Sequence, residues 1–215
     1  PPRDLPMTAF RARAGVTAFA AALSLAAGAG CTRAPGRVEL PAFAAGAGAA
    51  ALAEYDTNKD GKISGAELAK SASLQAAIEQ IDTNADKAIT ADEIDARIGQ
   101  WREQKVALMP VSCKVLLNGT PVENAKVTFQ PEAFLGGQLH PATGETDADG
   151  VAKIKLAPEH VKDAKFDGFV PTGFYKISVE VGGKRYATGP RTGCEVSGNA
   201  VWAREGLVVA EFESR

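Results

Sequence analysis

The sequence predicts a two-domain protein, a small all-α unit followed by an all-β sandwich, with a leader segment that belongs to neither. Three observations carry this. Two acidic twelve-residue stretches begin at Asp56 and Asp82, 26 residues apart, each bordered by apolar residues at helical spacing. From Met109-Pro110 onward the period changes to alternation, interrupted by Gly, Pro, Asn and Asp clusters. Before both lies an apolar run from Ala14 to Ala27, preceded by Arg11 and Arg13.

The first acidic stretch reads Asp56-Thr57-Asn58-Lys59-Asp60-Gly61-Lys62-Ile63-Ser64-Gly65-Ala66-Glu67. Oxygen-bearing side chains fall at positions 1, 3, 5, 9 and 12, and a hard divalent cation takes six to eight such oxygens. Asp56, Asn58, Asp60, Ser64 and Glu67 are therefore candidate metal ligands, with the backbone carbonyl of Lys62 at position 7. Gly61 stands at position 6, where the chain turns sharply through a conformation unfavourable to a residue with a Cβ. Ile63 at position 8 is expected in a core. The second stretch supplies Asp82, Asn84, Asp86, Thr90 and Glu93 at the same positions, Ala88 at position 7 and Ile89 at position 8. It has Lys87 at position 6, at a cost of about 1 kcal/mol for the left-handed turn, and its ammonium adds repulsion, so weaker or no binding is expected there.

These two stretches resemble paired EF-hand loops, and the resemblance implies calcium as the bound ion. Leu52 and Tyr55 fit the helix entering the first loop; Leu74, Ile78 and Ile81 that entering the second; Ile94, Ile98 and Trp101 that leaving it. The loop spacing keeps the intervening helices short. So small a unit has a small core, and bound calcium should add to its stability.

The leader, residues 1–30 with its start at Met7, has the three-part layout of a secretory signal peptide. Gly28-Ala29-Gly30-Cys31 resembles a bacterial lipobox, in which Cys31 is lipidated and becomes the mature N-terminus; Gly28 departs from the apolar residue usual there. Ordinary cleavage after Ala29 is the alternative. Residues 31–42 read as a linker, 43–106 as the helical pair and 107–215 as the sandwich.

In the β half, Val111, Cys113, Val115 and Leu117 alternate before an Asn118-Gly119 turn, and Val127 and Phe129 resume the pattern. Further strands are expected at 151–156, 174–181, 192–196 and 207–212, with turns at Asp147-Ala148-Asp149-Gly150 and Val181-Gly182-Gly183. Leu117 to Phe129, Thr143 to Gly150 and Pro171 to Val179 together resemble a carboxypeptidase-regulatory-like domain. That implies a non-catalytic transthyretin-like/immunoglobulin-like sandwich over about residues 111–213.

Cys113 and Cys194 each share a strand face with a valine, so both should point inward, as a disulfide or as two separate buried thiols. The chain has 24 basic and 26 acidic residues and no basic cluster with interleaved aromatics, which excludes nucleic acid as an expected partner. No H-E-x-x-H, G-x-S-x-G, S-x-x-K or C-x-x-C occurs, and His140 and His160 are expected to stand alone as loop or surface histidines, so no enzyme is expected. The combined expectation is a calcium-binding cell-envelope lipoprotein, held to the membrane through Cys31. Its sandwich serves adhesion or assembly with an envelope protein or polysaccharide, and its helical pair is a calcium-stabilised spacer. The alternative is a secreted or periplasmic accessory protein that binds carbohydrate or another ligand and presents it to a separate enzyme. Phe134, Phe166, Phe169 and Trp202 are then the aromatics that exposure at one end of the sandwich would single out.

Overall fold

A computed structural model describes residues 39–161 and 164–214 of the chain. The expected signal segment, Met7, Cys31 and residues 32–38 of the linker lie outside them. No helix among the described residues is long and apolar enough to cross a membrane.

The helical unit opens with α1 (Ala47–Tyr55), an alanine-rich helix whose last residue precedes the first acidic loop. The loop ends in β1 (Ile63–Ser64) and α2 (Gly65–Leu68), then α3 (Ala72–Ala76) and α4 (Ile78–Ile81) lead to the second loop. Ser64 caps α2 through a capping box with Glu67, and Thr90 caps α5 through the same device with Glu93. The second loop ends in β2 (Ala88–Ile89) and α5 (Ala91–Gln104), the long helix of the unit. β1 and β2 pair antiparallel, Ile63 opposite Ile89, so the two loops lie back to back. Both isoleucines are fully buried, as position 8 requires. Gly48 explains how closely α1 meets α5: a Cβ there would lie 2.1 Å from the Ala91 carbonyl oxygen.

The remainder is a large, mostly antiparallel sheet that curls on itself. Its strands are β3 (Leu108–Leu117), β4 (Thr120–Pro121), β5 (Lys126–Pro131), β6 (Ala142–Glu145), β7 (Val151–Leu156), β8 (Phe169–Pro171), β9 (Gly173–Val181), β10 (Lys184–Tyr186), β11 (Gly193–Val196) and β12 (Val208–Phe212). The path runs β10-β9-β5-β6-β7-β3-β12; β11 also pairs with β9, and β12 runs parallel to β3. The strand expected at 151–156 is found with those limits, and those at 174–181, 192–196 and 207–212 are found to within one residue. The Asn118-Gly119 and Gly182-Gly183 turns have left-handed φ at both residues, which matches the twist of a tight hairpin. Asp147 closes its own turn by accepting the Asp149 and Val151 amides.

Two cores result. One lies inside the curled sheet and comprises Val111, Cys113, Val115, Val127, Phe129, Ile154, Tyr175, Ile177, Val179, Cys194, Val196 and Phe212, among others. Cys113 and Cys194 are free thiols here, so the disulfide alternative is not the one adopted. Burial pushes the Cys113 thiol up to about 12 and the Cys194 thiol well above its ordinary value. The second core joins the helices to the sheet: Tyr55, Ile63, Leu74, Ile81, Ile89, Ile94, Ile98 and Trp101 pack with Phe134, Leu135, Leu139 and Phe174 of the β half. The helical unit therefore does not stand off as a spacer. Its apolar side is completed by the sheet, because a unit this short lacks enough apolar residues to close a core itself.

Candidate metal centre

α1 delivers Asp56 as its C-terminal cap, and the first loop then folds around its own carboxylates. Asp56 Oδ1 accepts the Lys59 amide at 2.6 Å, and its Oδ2 accepts the Gly61 amide at 2.9 Å. Asn58 Oδ1 accepts the Asp60 amide, and Asp60 Oδ1 accepts that of Lys62. Glu67, carried by α2, reaches back so that Oε1 takes the amides of Thr57 (2.8 Å) and Asn58 (3.0 Å) while Oε2 faces the Ser64 amide. These donors, led by the Asn58 amide, hold the Glu67 carboxyl below its ordinary range. Asp56, Asp60 and Glu67 thereby bring one oxygen each to within 4.8 Å of one another. Together with the Asn58 amide oxygen, the Lys62 carbonyl and Ser64, this all-oxygen donor set fits a hard divalent cation and offers no soft ligand to a thiophilic one.

The second loop follows the same backbone course. Positions 4 and 6 have left-handed φ in both loops: Lys59 at 62° and Gly61 at 82°, Ala85 at 59° and Lys87 at 63°. Asp82 accepts the amides of Asp86 and Lys87, Asn84 accepts that of Asp86, and Asp86 Oδ1 accepts that of Ala88. Glu93 takes Thr83 on Oε1 and Thr90 on Oε2. Burial raises the Glu93 carboxyl, but the Thr90 and Thr83 donors outweigh it and leave it low. Among the described residues only the first loop gathers three carboxylates closely enough to share an ion. In the second, Asp86 Oδ2 is instead bound 3.0 Å from the Lys62 ammonium.

Two buried carboxylates of the β half tie the loops' helices down, and sequence reasoning missed both. Glu132, 1% exposed, accepts the Tyr55 hydroxyl at 2.8 Å and the Ser73 hydroxyl at 2.5 Å, and pairs with Lys176 at 3.0 Å. Glu195, 3% exposed, takes the Arg97 guanidinium at 2.6 Å and the Trp101 indole N–H at 2.8 Å. Arg97 was detectable: it lies three residues after Ile94 and four before Trp101, inside the apolar stripe of α5, where an arginine demands a buried partner.

The candidate aromatics do not cluster at one end. Phe134 belongs to the shared core, Phe166 and Phe169 pair edge to face, and Trp202 packs on the sheet core with its indole N–H donated to the Glu195 carbonyl. Trp202, Gln75, Gln80, Arg191, Val201 and Glu205 line a cleft of about 380 Å³ between the α2–α4 segment and the β11–β12 side of the sheet. His140 and His160 do not stand alone as expected: their rings stack at 3.7 Å, 4° from parallel. Parallel rings keep their in-plane nitrogen lone pairs in separate planes, an arrangement that does not converge on one ion.

A family model described as EF hand matches residues 49–70, which take in most of α1, the first loop and α2. No curated protein matches the chain.

Proposed function

We propose that this chain is a non-catalytic, calcium-binding protein of the cell envelope whose first loop is the working metal site. The observation that carries the reading is the convergence of Asp56, Asp60 and Glu67 within 4.8 Å on the segment that the EF-hand model matches. Asp56, Asn58, Asp60, the Lys62 carbonyl, Ser64 and Glu67 would hold the ion. Bound there, calcium would supply charge neutralisation and fix the angle between α1 and α2. The residue preceding the site, Tyr55, is itself bonded to buried Glu132. Metal binding thus acts to keep the helical unit docked, a structural role that needs only the affinity of about 10⁻⁴ to 10⁻³ M seen in extracellular modules.

The β half, resembling carboxypeptidase-regulatory-like domains of transthyretin-like fold, serves adhesion or assembly with an envelope protein or polysaccharide. Export relies on the leader, and Cys31 carries a lipid anchor; ordinary cleavage to a secreted or periplasmic form is the alternative. A second reading, a carbohydrate- or ligand-binding accessory protein, is favoured by the cleft beside Trp202, whose Arg191, Gln75 and Glu205 suit a polar ligand.

Calorimetric calcium titration of the full chain, with thermal unfolding in calcium and in chelator, tests the metal reading. Wild type is expected to bind and to melt higher in calcium, and Asp56→Ala to lose both. Absence of any calcium response in wild type would sink the reading. Fractionation of Cys31→Ser tests the anchor: expected release from membranes, with unchanged membrane association counting against lipidation.

A further inference from the structure

We propose that Lys62 is the built-in cation of the second loop, so that the pair of loops takes up one calcium ion and not two. The inference rests on the reading of the first loop as a calcium site and extends it to how its neighbour is kept empty of metal.

At position 7 a calcium loop uses only the backbone carbonyl, so the side chain is free to serve elsewhere. The antiparallel pairing of Ile63 with Ile89 and Ser64 with Ala88 sets position 7 of each loop beside the other loop. From there the Lys62 ammonium crosses to Asp86 Oδ2, 3.0 Å away, at position 5 of the second loop. The crossing runs one way, because position 7 of the second loop is Ala88, whose methyl group carries no charge to return.

Position 5 therefore differs between loops that otherwise fold alike. In the first, Asp60 Oδ2 accepts the neutral Asn58 side-chain amide at 3.0 Å. In the second, the equivalent oxygen faces a full positive charge. An incoming ion need only rotate an amide in the first loop, whereas in the second it must displace an ammonium and approach against its repulsion. The three acidic ligands of the second loop, Asp82, Asp86 and Glu93, are also offset by Lys87 within the loop. Lys87 already holds the left-handed turn that position 6 requires, with φ 63°. Its backbone is thus in place for binding, and among the described residues its ammonium makes no ion pair with a ligand carboxylate, which leaves the Lys62 ammonium as the occupant to be removed.

Calcium calorimetry on the full chain separates the possibilities. Wild type is expected to bind one ion, Lys62→Met two, and Lys87→Gly one. Methionine keeps the position-7 carbonyl and the length of the side chain while removing the charge. Adding Asp56→Ala to Lys62→Met should leave one ion, now in the second loop. Two ions in wild type, one in Lys62→Met, or two in Lys87→Gly would each overturn the inference while leaving the first-loop reading intact. Uptake by Lys62→Met but none by wild type would leave Lys62 as the cation of the second loop but defeat the proposed function, and with it the count of one ion. No uptake by either would defeat both.

Discussion

The two cores of this protein are closed on different terms. The core inside the curled sheet draws its buried residues from the β half alone, from Val111 to Phe212. The helical core borrows Phe134, Leu135, Leu139 and Phe174 from the β half and is pinned at both ends by that half's buried carboxylates, Glu132 and Glu195. The contrast teaches that the helical unit is a dependent structure, whose order follows from docking, while the sheet holds its own core. It also places the metal loops: each adjoins a helix that is tied down, α1 through Tyr55 and α5 through Arg97 and Trp101.

The largest break in this comparison is expected from Glu195→Ala, which leaves the Arg97 guanidinium, 2% exposed, without its carboxylate. Stranding a buried charge costs about 3–5 kcal/mol, so chemical denaturation should show a much lower midpoint. Replacing both partners, as Arg97→Met with Glu195→Met, should recover most of that loss. Next comes Phe174→Ala. Its ring lies 4.7 Å from Trp101 and 6.1 Å from Phe134, at the seam of the shared core, and truncation of a buried phenylalanine costs about 3–5 kcal/mol. Hydrogen exchange should show the loss concentrated in α1–α5; equal loss across β3, β5 and β9 would refute the dependence argument. Tyr55→Phe should cost less, on the order of 1 kcal/mol, because Glu132 keeps Ser73 and Lys176 as partners. The smallest test is acid. Glu67, Glu93 and Asp86 all have carboxyls held below their ordinary values, so their contribution is complete above the unfolded values near 4 to 4.5 and is lost as pH falls through the depressed folded values. Calcium-free protein should therefore melt progressively lower from about pH 4.5 downward, with the loops' amides losing exchange protection before those of the sheet.

Much of the site was legible because a calcium loop is a local code. Ligand types at fixed positions, a left-handed turn at position 6 and an isoleucine at position 8 are set by neighbours within twelve residues, and Gly61, Lys87, Ile63 and Ile89 take up those places. The long strands were legible too, since Val151 to Leu156 alternate cleanly between buried and exposed. What alternation could not reveal was that two of the expected strands are buried on both faces. On β11, Cys194 and Val196 face the sheet core while Glu195 turns to the helices, and at β9 Tyr175 and Phe174 divide between the two cores in the same way. That second buried face shows itself only once the covering helices are known. The short strands β6, β8 and β10 escaped for the opposite reason: three or four residues hold too little pattern to stand out from a loop. The meeting of His140 with His160 and of Lys62 with Asp86 depends on tertiary placement, which no local rule supplies.

Glu195 has one more consequence. The chain's two tryptophans both address it, Trp101 through the carboxylate and Trp202 through the backbone carbonyl. Every indole in the molecule thus reports on a single residue at the seam. Selective excitation of tryptophan emission becomes a one-site optical gauge of docking: release of the helices would let water reach Trp101 and shift its emission to the red. A silent spectrum would mean the seam had stayed shut.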